Sequence, residues 1–158
     1  MNIIFTLCGR AALAFVIVIT LFLLISGIPV IGKIGFVQFI LGKIWSPTSA
    51  EAAYGILPFI LSSVLGAFGA IIIGVPIGLL CAIYIAKAAP KPVSRIIRSA
   101  VELLAGIPSV VYGLIGMIII VPTVREAFGL PDGANLFSAI LVLAVMILPS
   151  VISVSETA

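Results

Sequence analysis

Charge and histidine are what this 158-residue chain has least of. Only 8% of its residues are charged, against 63% hydrophobic, and there is no histidine. A soluble domain carries roughly a quarter charged residues, so these side chains cannot solvate a globule. Without histidine the chain lacks the commonest general base and the commonest transition-metal ligand. The two cysteines, Cys8 and Cys81, lie in or beside apolar runs with no metal-site or disulfide spacing, and read as buried reduced thiols. No metal site, cofactor motif, phosphate loop or nucleophile–base pair is legible. The net charge of +3 comes with no basic stripe or aromatic platform, which excludes nucleic acid as a partner. What remains is grease, with a mean hydropathy of +1.48. The partner this implies is the lipid bilayer.

Four apolar segments are long enough to span it. They run from about Ala11 to Ile28, Gly55 to Ala86, Gly106 to Val121 and Leu136 to Val154. The first outruns the apolar stretch of a cleaved signal peptide and reads as an uncleaved span. The second is about 45 Å long as a helix, so Pro58 and Pro76 are expected to break or bend it. A polar helical turn or two precedes the third. Turn chemistry fills the connections, and no strand is legible because barrel-type alternation is absent. The lone Trp45 reads as an interfacial anchor.

Lys87, Lys91, Arg95 and Arg98 cluster in the loop between the second and third segments. Lysine and arginine are retained on the cytoplasmic side, so this loop, with Glu102, is the expected cytoplasmic face. The amino terminus with Arg10 is then also inside. The 29–54 loop and the 122–135 loop lie outside. Arg98 and Glu102 are four apart and can pair on one helix face, and Ser99 with Glu102 matches capping-box spacing.

The second segment carries Ser62, Gly66, Ala70, Gly74, Gly78, Ala82 and Ala86 at every fourth position. In lipid there is little hydrophobic drive between helices, and such small residues let two backbones approach. The stripe drifts about 40° per step, which suits crossing helices. At the start of the third segment, Gly106 and Pro108 bend the chain and free backbone groups, beside Ser109 and Tyr112. Irregular backbone in a membrane is tolerated where protein or a water-filled cavity receives it. The other span hydroxyls, Ser62, Ser63, Ser138 and Ser150, are expected to bond helix backbone.

The run Val101-Glu102-Leu103-Leu104-Ala105-Gly106-Ile107-Pro108-Ser109-Val110-Val111-Tyr112-Gly113 resembles a signature of the PstC-type permeases of ABC phosphate importers. Tyr54-Gly55-Ile56-Leu57-Pro58, Val75-Pro76-Ile77-Gly78 and Met146-Ile147-Leu148-Pro149 resemble parts of the same family's spans. The resemblance implies an all-α polytopic bundle of the MetI-like transmembrane type, with about four spans of an expected six. On this reading 1–54 is a first span with its periplasmic loop and 55–158 is a partial MetI-like domain. The chain is then an amino-terminal part whose coupling loop would follow Glu156. The implied role is a non-enzymatic permease subunit of the bacterial inner membrane. Its implied partners are a second, PstA-type permease, a cytoplasmic ATPase dimer and a periplasmic phosphate-binding protein. Gly106, Pro108, Ser109 and Tyr112 are the candidate translocation-path residues. A permease for another oxyanion or solute is the nearest alternative. A channel or a secondary-transporter half would need charge at mid-depth, which is missing.

Overall fold

The computed structural model describes residues 2–157. The chain divides into two compact units, Met1–Ile60 and Leu61–Ala158. Among the described residues four helical stretches are long and apolar enough to cross a membrane: Ile4–Ile34, Leu57–Ala88, Ser109–Phe128 and Leu136–Glu156. The fold is an all-α polytopic membrane bundle.

In the first unit, α1 (Asn2–Ile34) is a single helix exposed along its apolar length. It runs through Pro29 and Gly32, where the sequence predicts a loop. A helix that fulfils its own backbone bonds is the stable state of an apolar run, and one proline costs it a single bond. Gly35, at φ 91°, ends it in a conformation open to glycine, and α2 (Phe36–Leu41) follows. Two short strands then form where the sequence predicts none. Trp45–Ser46 (β1) pairs antiparallel with Ala53–Tyr54 (β2), Trp45 opposite Tyr54. Two-residue strands are too short to leave a periodic signal. Trp45 packs edge-on against Tyr54 at 5.9 Å and Phe59 at 5.5 Å. Beneath them the backbones of Gly42 and Gly55 touch, and a Cβ on either would collide with the other. The Gly55 N–H donates to the Ile44 carbonyl at 2.9 Å.

In the second unit, α3 (Leu57–Ile83) continues through a π-helical turn at Tyr84–Ala88. The expected breaks at Pro58 and Pro76 do not occur. Pro58 sits in the first helical turn, where a missing N–H costs nothing, and Pro76 lies inside an unbroken helix. The region expected as a cytoplasmic loop is α4 (Lys91–Ala105), a strongly amphipathic helix of 15 residues. Pro92 falls in its first turn, so Pro90-Lys91-Pro92 starts a helix as well as ending one. A sharp corner leads to α5 (Ser109–Ile115), a second π-helical turn (Gly116–Ile120) and α6 (Val121–Phe128). This run passes Pro122 without breaking, beyond the predicted end at Val121. Gly129, at φ 59°, closes α6 as a left-handed cap, with the Leu130 N–H on the Arg125 carbonyl at 3.0 Å. Asn135 caps α7 (Leu136–Thr157) through its Oδ1, which accepts from the Ser138 N–H at 3.0 Å.

Candidate functional site

The small-residue stripe is the seam of the second unit. Gly66, Ala70, Gly74, Gly78 and Ala82 are all buried on α3. A Cβ built on Gly66 would meet Leu136 and Leu143, one on Gly74 would meet Ala144 and Ile147, and one on Gly78 would meet Leu148 and Val151. The two sets of numbers rise together, so α3 and α7 run in the same direction. Gly116 abuts Val142 of α7, and Gly133 abuts Val121 and Arg125, so the α5–α6 run is opposed to α7. Two parallel helices with one returning between them is the geometry of three successive crossings. Two ends of the stripe depart from it. Ser62 is exposed, and so is Ala86; at that end Ile85 is the buried residue, packed with Val101 of α4 and Ile152 of α7.

Where α3 and α7 end, Ala82, Ile85, Val101 and Ile152 form one apolar cluster, with Ile97 and Leu148 against it. This cluster fixes α4 across the end of the bundle. Beside it, Arg98 forms an ion pair with Glu156 of α7, whose side chain is only 12% exposed. That corrects the expected Arg98–Glu102 pair. Glu102 lies in the same cleft, but the end of α7 brings a more enclosed carboxylate to Arg98. Ser99 and Glu102 form no capping box, since both lie inside α4 and the helix starts at Lys91. Glu156 is the residue at this site that spacing could not supply, because its partner is far away along the chain.

The corner between α4 and α5 is built from the signature residues. The Gly106 N–H reaches the carbonyls of Glu102 and Leu103 at 3.1 and 3.2 Å, and the Ile107 N–H reaches Leu104 at 3.1 Å. Pro108, at ψ 140°, then turns the chain into α5. Tyr112 is buried, and its hydroxyl donates to the Leu104 carbonyl at 2.8 Å. That carbonyl, one of the last in α4, already accepts from the Ile107 N–H, and the tyrosine is its second donor. The tyrosine therefore ties the corner shut, while Gly106, Pro108 and Ser109 remain exposed. At the opposite end of the unit the buried Ser138 hydroxyl donates to the Gly133 carbonyl at 2.6 Å, a partner in the turn before α7 and not the helix backbone expected of a span hydroxyl. Cys8 and Cys81 are free and exposed, which corrects the expectation of burial. Cys81 lies on α3 away from the seam, on a face that an apolar thiol can present to lipid.

The interior between α3 and α7 is apolar. A cavity of about 250 Å³ there is lined by Ile73, Gly74, Ile77, Ala144 and neighbouring aliphatic side chains. Among the described residues no group of histidine, cysteine or carboxylate side chains is placed to hold a metal ion.

Comparison with known proteins finds relatives through sequence alone. No family model matches the chain, and no solved structure does. Curated sequences do. A probable ABC transporter permease of Bacillus subtilis, YqgH, is 34% identical over 155 residues, 97% of this chain and 50% of the relative. The phosphate transport system permease protein PstC of Haemophilus influenzae is 35% identical over 136 residues, 74% of this chain and 42% of the relative. That of Mesorhizobium japonicum is 32% identical over 138 residues, 75% of this chain and 42% of the relative. The chain is a homologue of PstC-type ABC transporter permeases. It spans about half the length of the curated relatives it matches.

Proposed function

We propose that this chain contributes to the inner-membrane path of an ATP-driven phosphate importer. The observation that carries the reading is its 32–35% identity to phosphate transport permeases of the PstC type. In this reading a periplasmic protein delivers phosphate and a second, PstA-type permease completes the path. A cytoplasmic ATPase dimer supplies the energy, and this chain hydrolyses nothing. The partners bias the permeases between outward- and inward-facing states by binding one more tightly than the other. The apolar interior between α3 and α7 offers no route for a hydrated oxyanion, because an unpaired charge there carries a large desolvation cost. The path therefore runs over an outer face of the bundle, against the partner permease. The exposed Gly106, Pro108 and Ser109, held by Tyr112, are the residues we place on it.

The orientation follows from the charges. With Lys87, Lys91, Arg95 and Arg98 in the cytoplasm, α4 lies on the inner face. The 129–135 turn, at the opposite end of the α5–α6 run, then faces the periplasm, and the amino terminus is cytoplasmic. The transport reading is tested by a chimera. The matching region of the Haemophilus influenzae PstC is replaced by this chain, and radiolabelled phosphate uptake is measured in cells lacking their own PstC. Uptake well above the empty-vector level is expected. A chimera that reaches the membrane and assembles with its partners, yet moves another oxyanion and not phosphate, contradicts the substrate.

A further inference from the structure

Helix α4 joins the ends of two candidate spans, Leu57–Ala88 and Ser109–Phe128, so both its ends are fixed at one face of the membrane. A helix so placed lies in the headgroup layer. Its faces fit that position. Ile97 and Val101 pack on the bundle core. Ile96 and Leu103 point elsewhere and are 70% and 75% exposed, as side chains dipping into acyl chains would be. Lys91, Arg95 and Arg98 share the remaining face at helical spacing. They line, with Ser94, a concave cavity of about 400 Å³ whose floor is Ile85 and Ala86. The Ser94 hydroxyl donates to the Ile85 carbonyl at 3.3 Å, which fixes one wall to the π-helical turn. Among the described residues no carboxylate lines the cavity. Glu156 pairs with Arg98 from its other side, and Glu102 lies one turn further along α4.

We infer that this cavity is a site for the headgroup phosphate of an anionic phospholipid in the leaflet that α4 occupies. Lys91 and Arg95, which form no ion pair among the described residues, and Arg98, held in place by Glu156, converge on a volume that suits a glycerophosphate group. Arginine forks engage phosphate oxygens in pairs, and the long lysine stem reaches the headgroup plane. The apolar floor and the lipid-facing Ile96 leave room for the acyl chains below, which a free anion would not use. The inference rests on the membrane placement proposed above, but not on transport. Binding is read without turnover, so a failure of uptake leaves it standing.

The test uses the full chain in detergent, titrated with phosphatidylglycerol or phosphatidylcholine, with retained lipid counted by native mass spectrometry. The wild type is expected to hold one phosphatidylglycerol in clear preference to phosphatidylcholine. Each juxtamembrane cation contributes about a fivefold factor, so Lys91→Gln weakens retention about fivefold and the pair K91Q/R95Q about 25-fold. The pair K33Q/K43Q removes equal charge from the first unit and leaves retention unchanged. If K91Q/R95Q does not fold, as judged by its unfolding temperature, K91Q alone carries the test. Equal retention by wild type and variant overturns the site, and so does an equal loss in K33Q/K43Q. Displacement of the lipid by millimolar inorganic phosphate assigns the cavity to free phosphate and overturns the lipid. Indifference to headgroup charge, with K91Q/R95Q instead losing association with an ATPase subunit, assigns the face to a protein.

Discussion

Leucine at position 74 is expected to separate α3 from α7 and lower the stability of the second unit by roughly 3 kcal/mol, near the upper end of overpacking costs. The reason is what lies opposite. A Cβ at Gly74 falls 2.7 Å from Ile147 Cδ1 and 3.0 Å from the Ala144 backbone oxygen. The isoleucine can rotate aside, but the carbonyl oxygen belongs to the α7 backbone and can move only with the helix. Leucine adds three further carbons to that clash. The neighbouring positions predict a gradient. At Gly66 a Cβ meets only Leu136 at 3.7 Å and Leu143 at 3.8 Å, ordinary contact distances, so Gly66→Ala is expected to be near neutral. Gly113 has nothing within 4 Å of a built Cβ, so Gly113→Leu, with the same added volume on another helix, serves as the control. Thermal unfolding in detergent should place Gly74→Leu on the order of 10 °C below wild type, with Gly113→Leu close to wild type. Equal losses in both would mean that added bulk, and not the seam, sets the effect.

Arg98→Ala is expected to cost about 2 kcal/mol, and Glu156→Ala about half of that. Both partners lose the same ion pair, but they leave different residues behind. The Glu156 side chain is 12% exposed, so without Arg98 a carboxylate remains enclosed and unpaired. The Arg98 side chain is 53% exposed, so without Glu156 the guanidinium reaches water and the loss is that of a screened surface pair. The double variant should recover part of the R98A loss, because it removes the stranded charge. Unfolding of the two singles and the double gives the coupling directly. Strictly additive losses, or a larger loss for Glu156→Ala, would show that the pair does not hold α4 to α7.

The seam was legible because its signal is local. Seven small residues at a fixed spacing mark a helix face, whatever covers it. Which helix covers it was not legible, since Leu143, Ile147 and Val151 look like any other aliphatic residues until the chain returns. The same division explains the charges. The basic cluster suggested one end of the bundle from composition alone, whereas the pairing of Arg98 with Glu156 needs the ends of two distant helices to meet. Spacing suggested Glu102 because it is the acid within reach along α4, and tertiary packing supplied a better-enclosed one. Proline misled for a physical reason. Pro58 and Pro92 occupy first turns, where the missing N–H has no partner to lose, and Pro76 lies within a helix that lipid favours over any open alternative. Ala86 left the seam where α4 packs on the end of α3 and covers Ile85, a contact made by a later helix that the spacing of small residues does not announce. The corner residues Gly106 and Pro108 read correctly as a bend. The anchoring hydrogen bond from Tyr112 to Leu104 depends on the angle of that bend and could not be read in advance.

The claim on which all of this depends is that α4 and the 129–135 turn lie on opposite sides of a bilayer. Single cysteines placed at Lys91 and at Asp132, in a chain whose Cys8 and Cys81 have been replaced by serine, test it in intact cells with a membrane-impermeant maleimide. Position 132 should label at once, and position 91 only after the membrane is opened. Labelling of both positions in intact cells, or of position 91 alone, would contradict the account.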